Sequence, residues 1–268
     1  MKEVPQSPSL LPDERLDRVN EDLYLIQKQN GLTFGTDAYL LAAFLRPSPN
    51  AFAVDLGSGT GIISLLALAK NKFARVTAVE IQQDFADLIA RNAAVNGYAE
   101  RLTPMLCDVR KLSPTLLGRE ADVVFSNPPY MTADSGKRNL FDEKYIARHE
   151  VCGGISDFCA AAGRILKHGG KFYCVFRPDR LSELMQGLQN ARLTPKRMTF
   201  VHADADTEPC MLLVEAIKGG APSVRVSKPL LLYLPKQAGE RSRTRSPEAE
   251  RIYRNCSFLD EPPSDGRE

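Results

Sequence analysis

The chain is poor in the groupings that build metal sites. Its three histidines are scattered, and its six cysteines, at 107, 152, 159, 174, 210 and 256, form no C-x-x-C pair. No zinc spacing results, so no metal is expected and the thiols are read as reduced, small hydrophobes. Long apolar runs are missing too. Stretches such as "AFAVDLGSG" and "IISLLALA" fall far short of the ~20 residues of a membrane span. The first twenty residues hold no apolar h-region and no small-residue cleavage site, which makes a cytoplasmic chain with no membrane partner the default expectation. A strong charge imbalance is absent as well: the formal net charge is +2 over 268 residues. The two halves nevertheless differ. Residues 1–130 carry 13 Lys and Arg against 15 Asp and Glu, whereas residues 131–268 carry 22 against 18. Alone, that shift is ordinary solvated surface; a polyanionic partner needs other support.

What is present is a regular alternation. "DLYLIQ" reads as a strand and "FGTDAYLLAAFL" as a helix capped by Thr36 or Asp37. Then "AFAVDLG", "ARVTAVE", "RLTPMLCD" and "EADVVFSN" are strands, with helices "TGIISLLALAK" and "QQDFADLIARNAAVNG" between the first three. Beyond a polar stretch at roughly 131–148, "VCGGISDFCAAAGRILKHGG" is a helix ending at Gly169. "KFYCVF" follows as a strand, "DRLSELMQGLQN" as a helix, and "PKRMTFVH" with "CMLLVEAI" as a closing strand pair. The pattern predicts an α/β fold with a mostly parallel sheet, helices on both faces and one antiparallel strand. Residues 1–20 are expected to be a flexible arm, 21–218 the catalytic domain, and 219–268 an extension. In that extension "PLLLYL" docks as an edge strand and the remainder is mobile.

"VDLGSGTG" places Asp55, Gly57, Ser58, Gly59 and Gly61 at the first strand-to-helix turn, where an open α/β sheet binds ligands. Glu80 ends the next strand about 20 residues on, the spacing at which a carboxylate meets ribose hydroxyls. A dinucleotide site would run G-x-G-x-x-G. Here the third glycine comes one residue early, and Asp55 would repel a pyrophosphate while suiting an ammonium and a sulfonium centre. S-adenosylmethionine fits better than NAD. Asp108, just past the third strand of this series, is placed to accept from an adenine amino group, with Ile81 and Val109 beside the two later carboxylates. Thr36 and Asp37 border the methionine end or serve as a helix cap.

In "DVVFSNPPYM" the chain leaves an apolar strand through Asn127 and is stiffened by Pro128 and Pro129 before Tyr130. "DLGSGTG", "AVE", "CD" and "SNPPY", in this order, resemble the class I S-adenosylmethionine-dependent methyltransferases over roughly residues 20–216. The resemblance implies a Rossmann-like, seven-stranded sheet of order 3-2-1-4-5-7-6 with its seventh strand antiparallel. "FGTDAYLLAAFL", "SGKRN", "DEKYIARHE", "RPDRL" and "SKPLLLY" are similar to the bacterial tRNA methyltransferases that act on N6 of an adenine beside the anticodon of a valine tRNA. That similarity implies direct transfer to a flipped base. The Asn127 carbonyl and a main-chain carbonyl near Pro128 accept the amine's two N–H groups, Tyr130 stacks on the ring, and Phe125 and Met131 keep the pocket dry. Lys137, Arg138, Lys144 and Arg148 are candidates for phosphate contacts, and Arg177, Arg180, Arg241, Arg243 and Arg245 are weaker ones; His149 reads as an orienting or structural residue rather than a base. Three other substrates suit the same asparagine: a protein glutamine amide (N5), a guanine N2 or adenine N6 of rRNA, and an adenine of DNA. A non-catalytic, cofactor-binding partner of RNA is the reading from a different class.

Overall fold

The computed structural model describes residues 9–29, 35–129, 153–235 and 242–258. The N-terminal hairpin pairs β1 (Glu14–Arg18) with β2 (Tyr24–Lys28) antiparallel. Helix α1 (Thr36–Phe44) leads into the repeating series: β3 (Phe52–Leu56), α2 (Ile62–Ala69), β4 (Arg75–Glu80), α3 (Gln83–Val95) and β5 (Leu102–Leu106). A short α4 (Pro114–Leu117) precedes β6 (Ala121–Ser126), and α5 (Ile155–Ile165), β7 (Leu166–Phe176) and α6 (Leu181–Asn190) follow. Strands β8 (Leu193–His202) and β9 (Pro209–Lys218) complete the main sheet. Two-residue strands β10 (Arg225–Val226) and β11 (Leu230–Leu231) add to β8, and α7 (Pro247–Asn255) ends the described chain.

The sheet runs β5-β4-β3-β6-β7-β9-β8, and β9 is antiparallel to both of its neighbours while the other pairings are parallel. This is the expected 3-2-1-4-5-7-6 order. Every residue of β3 is buried, as a central parallel strand covered on both faces must be. Its alternation sorts the core: Ala53 faces the layer of α1, α2, α3 and α7, whereas Phe52, Val54 and Leu56 face that of α5 and α6. The C-terminal edge of the sheet is thereby left to the loops after β3, β4 and β6.

Two asparagines on α3 bind the hairpin. Asn92 donates Nδ2 to the Ile26 carbonyl at 3.1 Å and accepts from the Ile26 N–H at 2.7 Å, and Asn96 makes the same pair with Tyr24. One helix turn apart, the two amides imitate a neighbouring strand. Glu14 adds a two-pronged ion pair with Arg91 at 2.7 and 2.8 Å, and that guanidinium holds its carboxyl below the usual range. Lys72 lies at the other end of α1, only 2% exposed. Its ammonium donates to the main-chain oxygens of Ala42, Ala43 and Leu45 at 2.7, 3.2 and 2.8 Å, satisfying carbonyls that the helix end leaves unpaired. Burial brings its pKa down to about 8.

Several expectations need correction. Residues 14–18, assigned to a flexible arm, form β1, because a hairpin partner lies only a few residues on. The helix ends at Ile165 rather than Gly169; β7 already starts at Leu166, and Gly169 sits at φ 75° next to the register shift against β6. The extension carries a helix, not only a docked strand. Ser246 caps α7 by accepting from the Ala249 N–H at 3.0 Å, Pro247 occupies the first turn, and Ile252 and Ala249 are buried against α1. The α1 cap is Gly35, in extended backbone, rather than Thr36 or Asp37.

Candidate active site

Strands β3, β4 and β6 are adjacent and parallel, so the chain leaves all three on one edge of the sheet. Leu56 is in register with both Val79 and Ser126. Helix α2, which follows β3, and α5, the next described helix after β6, pack on opposite faces of the sheet, and such a switch point opens a crevice. The glycine loop fills one wall. Gly57 and Ser58 donate to the Val79 carbonyl at 2.9 and 3.1 Å, and Gly57 adopts φ 71° with its Cα hydrogen facing the Phe158 ring; a Cβ there would lie 3.1 Å from it. Gly59, at φ 54°, has nothing within 4 Å of where a Cβ would stand, so the loop is open on that side. Asn92 reaches this loop too, donating to the Thr60 carbonyl at 3.0 Å.

Asp55 is 1% exposed. Its Oδ2 accepts from the Ser64 hydroxyl at 2.7 Å, and Oδ1 is buried without a hydrogen-bond partner. Burial raises its pKa to about 7, opposed by the Ser64 and Ser58 hydroxyls and assisted by the neighbouring Glu80. An orphaned carboxylate oxygen beside an open glycine loop suits a ligand that brings a cationic donor. Glu80 behaves differently: Oε2 accepts from the Gly59 N–H at 2.9 Å, and Oε1 from the N–H groups of Ile81 and Gln82 at 2.9 and 3.0 Å. The carboxylate, expected to meet ribose hydroxyls, thus also braces the glycine loop. Asp108 accepts the guanidinium fork of Arg110 on both oxygens, at 2.9 Å on Oδ1 and 3.0 Å on Oδ2, and this pair lowers its pKa. The sequence reading had not foreseen that partner. Val109 is buried behind it.

Asn127 follows β6 directly, with Pro128 buried and Pro129 half-buried after it. Its Nδ2 donates to Asp37 Oδ2 at 2.8 Å, while Asp37 Oδ1 accepts from the Ala38 N–H at 2.9 Å. Reversing the amide would set two oxygens against each other, so this bond fixes Oδ1 as the end turned away from α1. Residues 90 positions apart are joined. A cavity of about 650 Å³ opens on the Asp37 side of this pair, between Thr36 and Asp37 of α1, Phe176 and Arg177 at the end of β7, and Cys210 and Met211 of β9. Sequence reasoning missed the β9 wall, since Cys210 and Met211 look like ordinary strand residues.

Not every candidate joins this group. Phe125, expected to dry the pocket, is core instead: it stacks on Phe73 at 6.0 Å beneath the sheet edge. Arg177, although in the cavity wall, pairs with Asp179; Arg180 pairs with Glu183, and Arg243 and Arg245 with Asp204 and Glu250. Tyr130, Met131, Lys137, Arg138, Lys144, Arg148, His149 and Arg241 lie outside the described residues. No cluster of metal-ligating side chains occurs among the described residues, and no described helix is long and apolar enough to cross a membrane. Cys159 and Cys174 are buried, and burial raises both thiols, the first to about 12.

Comparison with known proteins supplies a family. The model described as methyltransferase small domain matches residues 29–200. A protein of Phocaeicola vulgatus, named tRNA1(Val) (adenine(37)-N6)-methyltransferase, is 30% identical over 184 residues, covering 67% of this chain and 74% of that one. Its namesake from Dyadobacter fermentans is 28% identical over 180 residues, 66% of this chain and 72% of the other. Among solved structures, a predicted O-methyltransferase from Agrobacterium tumefaciens superposes with a TM-score of 0.65 at 21% identity, covering 83% of this chain and 97% of that one. The tRNA m1G37 methyltransferase of M. jannaschii gives 0.51 at 16% identity, with 78% and 58% covered. Both superpositions speak to the fold.

Proposed function

The chain belongs to the methyltransferase small domain family, and from that premise we propose that it methylates N6 of an adenine in tRNA, the anticodon-loop adenine of a valine tRNA being the substrate its named relatives point to. The methyl donor is S-adenosylmethionine. This cofactor supplies an electrophilic methyl group on a sulfonium, and the residues present suit it. Asp55 Oδ1 offers an acceptor to its ammonium, the open side of Gly59 admits it closely, and the lone pairs that Glu80 keeps beyond its main-chain bonds serve its ribose hydroxyls.

An adenine amine is a weak nucleophile because its lone pair is delocalised into the ring. Asn127 addresses that weakness. Its Oδ1, set by the bond from Nδ2 to Asp37, accepts one N–H of the amine and holds the nitrogen with its lone pair along the transfer axis. The stiff Pro128-Pro129 backbone offers a carbonyl for the second N–H, and Tyr130 a ring face for the base. The cavity beside Asp37, with Phe176 and Met211 in its walls, has room for a base taken out of its stack. The Asp37–Asn127 bond is the single observation that carries this reading, because it turns the carbonyl and not the NH2 toward an incoming amine.

The test is methyl transfer from labelled cofactor to unmodified tRNA by the purified chain, followed by nucleoside mass mapping. N6-methyladenosine in valine tRNA, absent when the target adenine is replaced by guanine, is the expected product. A methylated guanine, or label on a protein amide with none on tRNA, would overturn it. Neutral substitutions at Lys137 and Arg138 are expected to weaken tRNA binding and flatten its salt dependence at unchanged cofactor affinity.

A further inference from the structure

The family match stops at residue 200, yet the helix that ends the described chain returns to the site. Tyr253 of α7 stacks on Tyr39 of α1, ring centroids 4.9 Å apart and planes 18° from parallel. The Tyr39 hydroxyl donates to the Tyr253 carbonyl at 2.6 Å. Arg245 lies 4.1 Å from the centre of the Tyr253 ring. All these contacts converge on the first turn of α1. That turn begins after Gly35, a cap with no side chain of its own, so its own sequence does little to hold it. Its second residue is Asp37, whose two oxygens hold the Ala38 N–H and the Asn127 amide.

We propose that Tyr253 is a positioning residue for methyl transfer: clamped against Tyr39, it holds the first turn of α1 so that Asp37 keeps the Asn127 amide in one orientation. This rests on the role given to Asn127 above, and it makes the C-terminal helix part of the catalytic machinery without touching substrate or cofactor. Displacement of a reacting group by about 1 Å can cost a hundredfold in rate, so a loosened turn is felt in turnover.

The experiment uses the full chain with Tyr253→Leu and Tyr253→Phe. Three quantities are read: cofactor affinity, kcat and KM on tRNA, and the 15N side-chain amide signal of Asn127, identified by its loss in Asn127→Asp. Tyr253→Leu is expected to lower kcat about tenfold or more, leave cofactor affinity near the parent value, and shift the Asn127 signal. Tyr253→Phe, which keeps the ring, is expected to recover part of the turnover with a smaller shift. An unmoved Asn127 signal with parental kcat in Tyr253→Leu overturns the proposal, as does a loss confined to cofactor affinity. Should the leucine variant not fold, the phenylalanine variant decides by the same signal, moved or unmoved. A parent chain inactive on tRNA defeats the tRNA reading alone, because the amide signal still reports whether Tyr253 positions Asn127.

Discussion

At the scale of single residues, Asp55 links ligand binding to protons. Its folded pKa of about 7 lies above the ordinary carboxylate value, so the folded state holds its proton more tightly than the unfolded chain does. The stability this contributes is fully present below pH ~4 and is lost as pH rises through about 7. Thermal unfolding of the ligand-free chain should therefore show a smaller decline between pH 5 and 8 in Asp55→Asn than in the parent. An ammonium-bearing ligand reverses the preference. Affinity for S-adenosylhomocysteine should climb as pH rises through about 7, with proton release detectable by calorimetry in buffers of different ionisation enthalpy; Asp55→Asn should bind more weakly and without that slope. Asn127→Ala should fold and bind cofactor, yet turn over about a hundredfold to a thousandfold more slowly, since an aimed acceptor is gone. Asp37 separates two roles. Asp37→Asn keeps an acceptor for Asn127 and should lose less kcat than Asp37→Ala, and equal losses would show that its charge, not its orienting bond, matters.

Among elements, the glycine loop offers a contrast between two neighbours. Gly57→Ala meets both a positive φ and the Phe158 ring at 3.1 Å, so chemical denaturation should show a loss of roughly 1–3 kcal/mol. Gly59→Ala meets only the φ strain, and its methyl would stand in the open side of the loop. It should lose less stability and more cofactor affinity. Removing the Asn92 amide leaves the Ile26 N–H and carbonyl and the Thr60 carbonyl without their partner, a cost of about 3 kcal/mol read in the same assay. The strands, the glycine loop and the Asn127 turn were legible in the sequence because each is local: a run of β-branched residues, a spacing of glycines, two prolines. The partners of Asn92, Asp108 and Asp37 were not equally legible. Asn92 reaches 66 residues back and Asn127 reaches 90, and periodicity within an element carries no record of which distant main-chain group a polar side chain will meet. The Asp108–Arg110 pair is a case of the opposite kind, two residues apart, because a charged side chain so near is also free to point into solvent. In the tail the amphipathic pattern of "PEAERIYRN" was short and charged, and its burial depends on α1, more than 200 residues earlier.

As a whole molecule, the first and last described elements close on one layer of helices, the hairpin onto α3 and α7 onto α1. A version ending at residue 241 would uncover Tyr39 and Phe44, and its thermal midpoint should fall well below the parent's; an unchanged midpoint would show α7 to be an ornament on the fold. Lys72 gives this architecture a reporter. Its amine is wrapped by three carbonyl oxygens and shut off from solvent, whereas the surface lysines are open to acylating reagents. In a timed labelling experiment read by mass spectrometry, Lys72 should stay unmodified long after the exposed Lys111 and Lys167 have reacted, and acquire its tag only at the rate at which the core opens. The slow appearance of one acylated peptide would then clock global unfolding under native conditions, with no probe introduced.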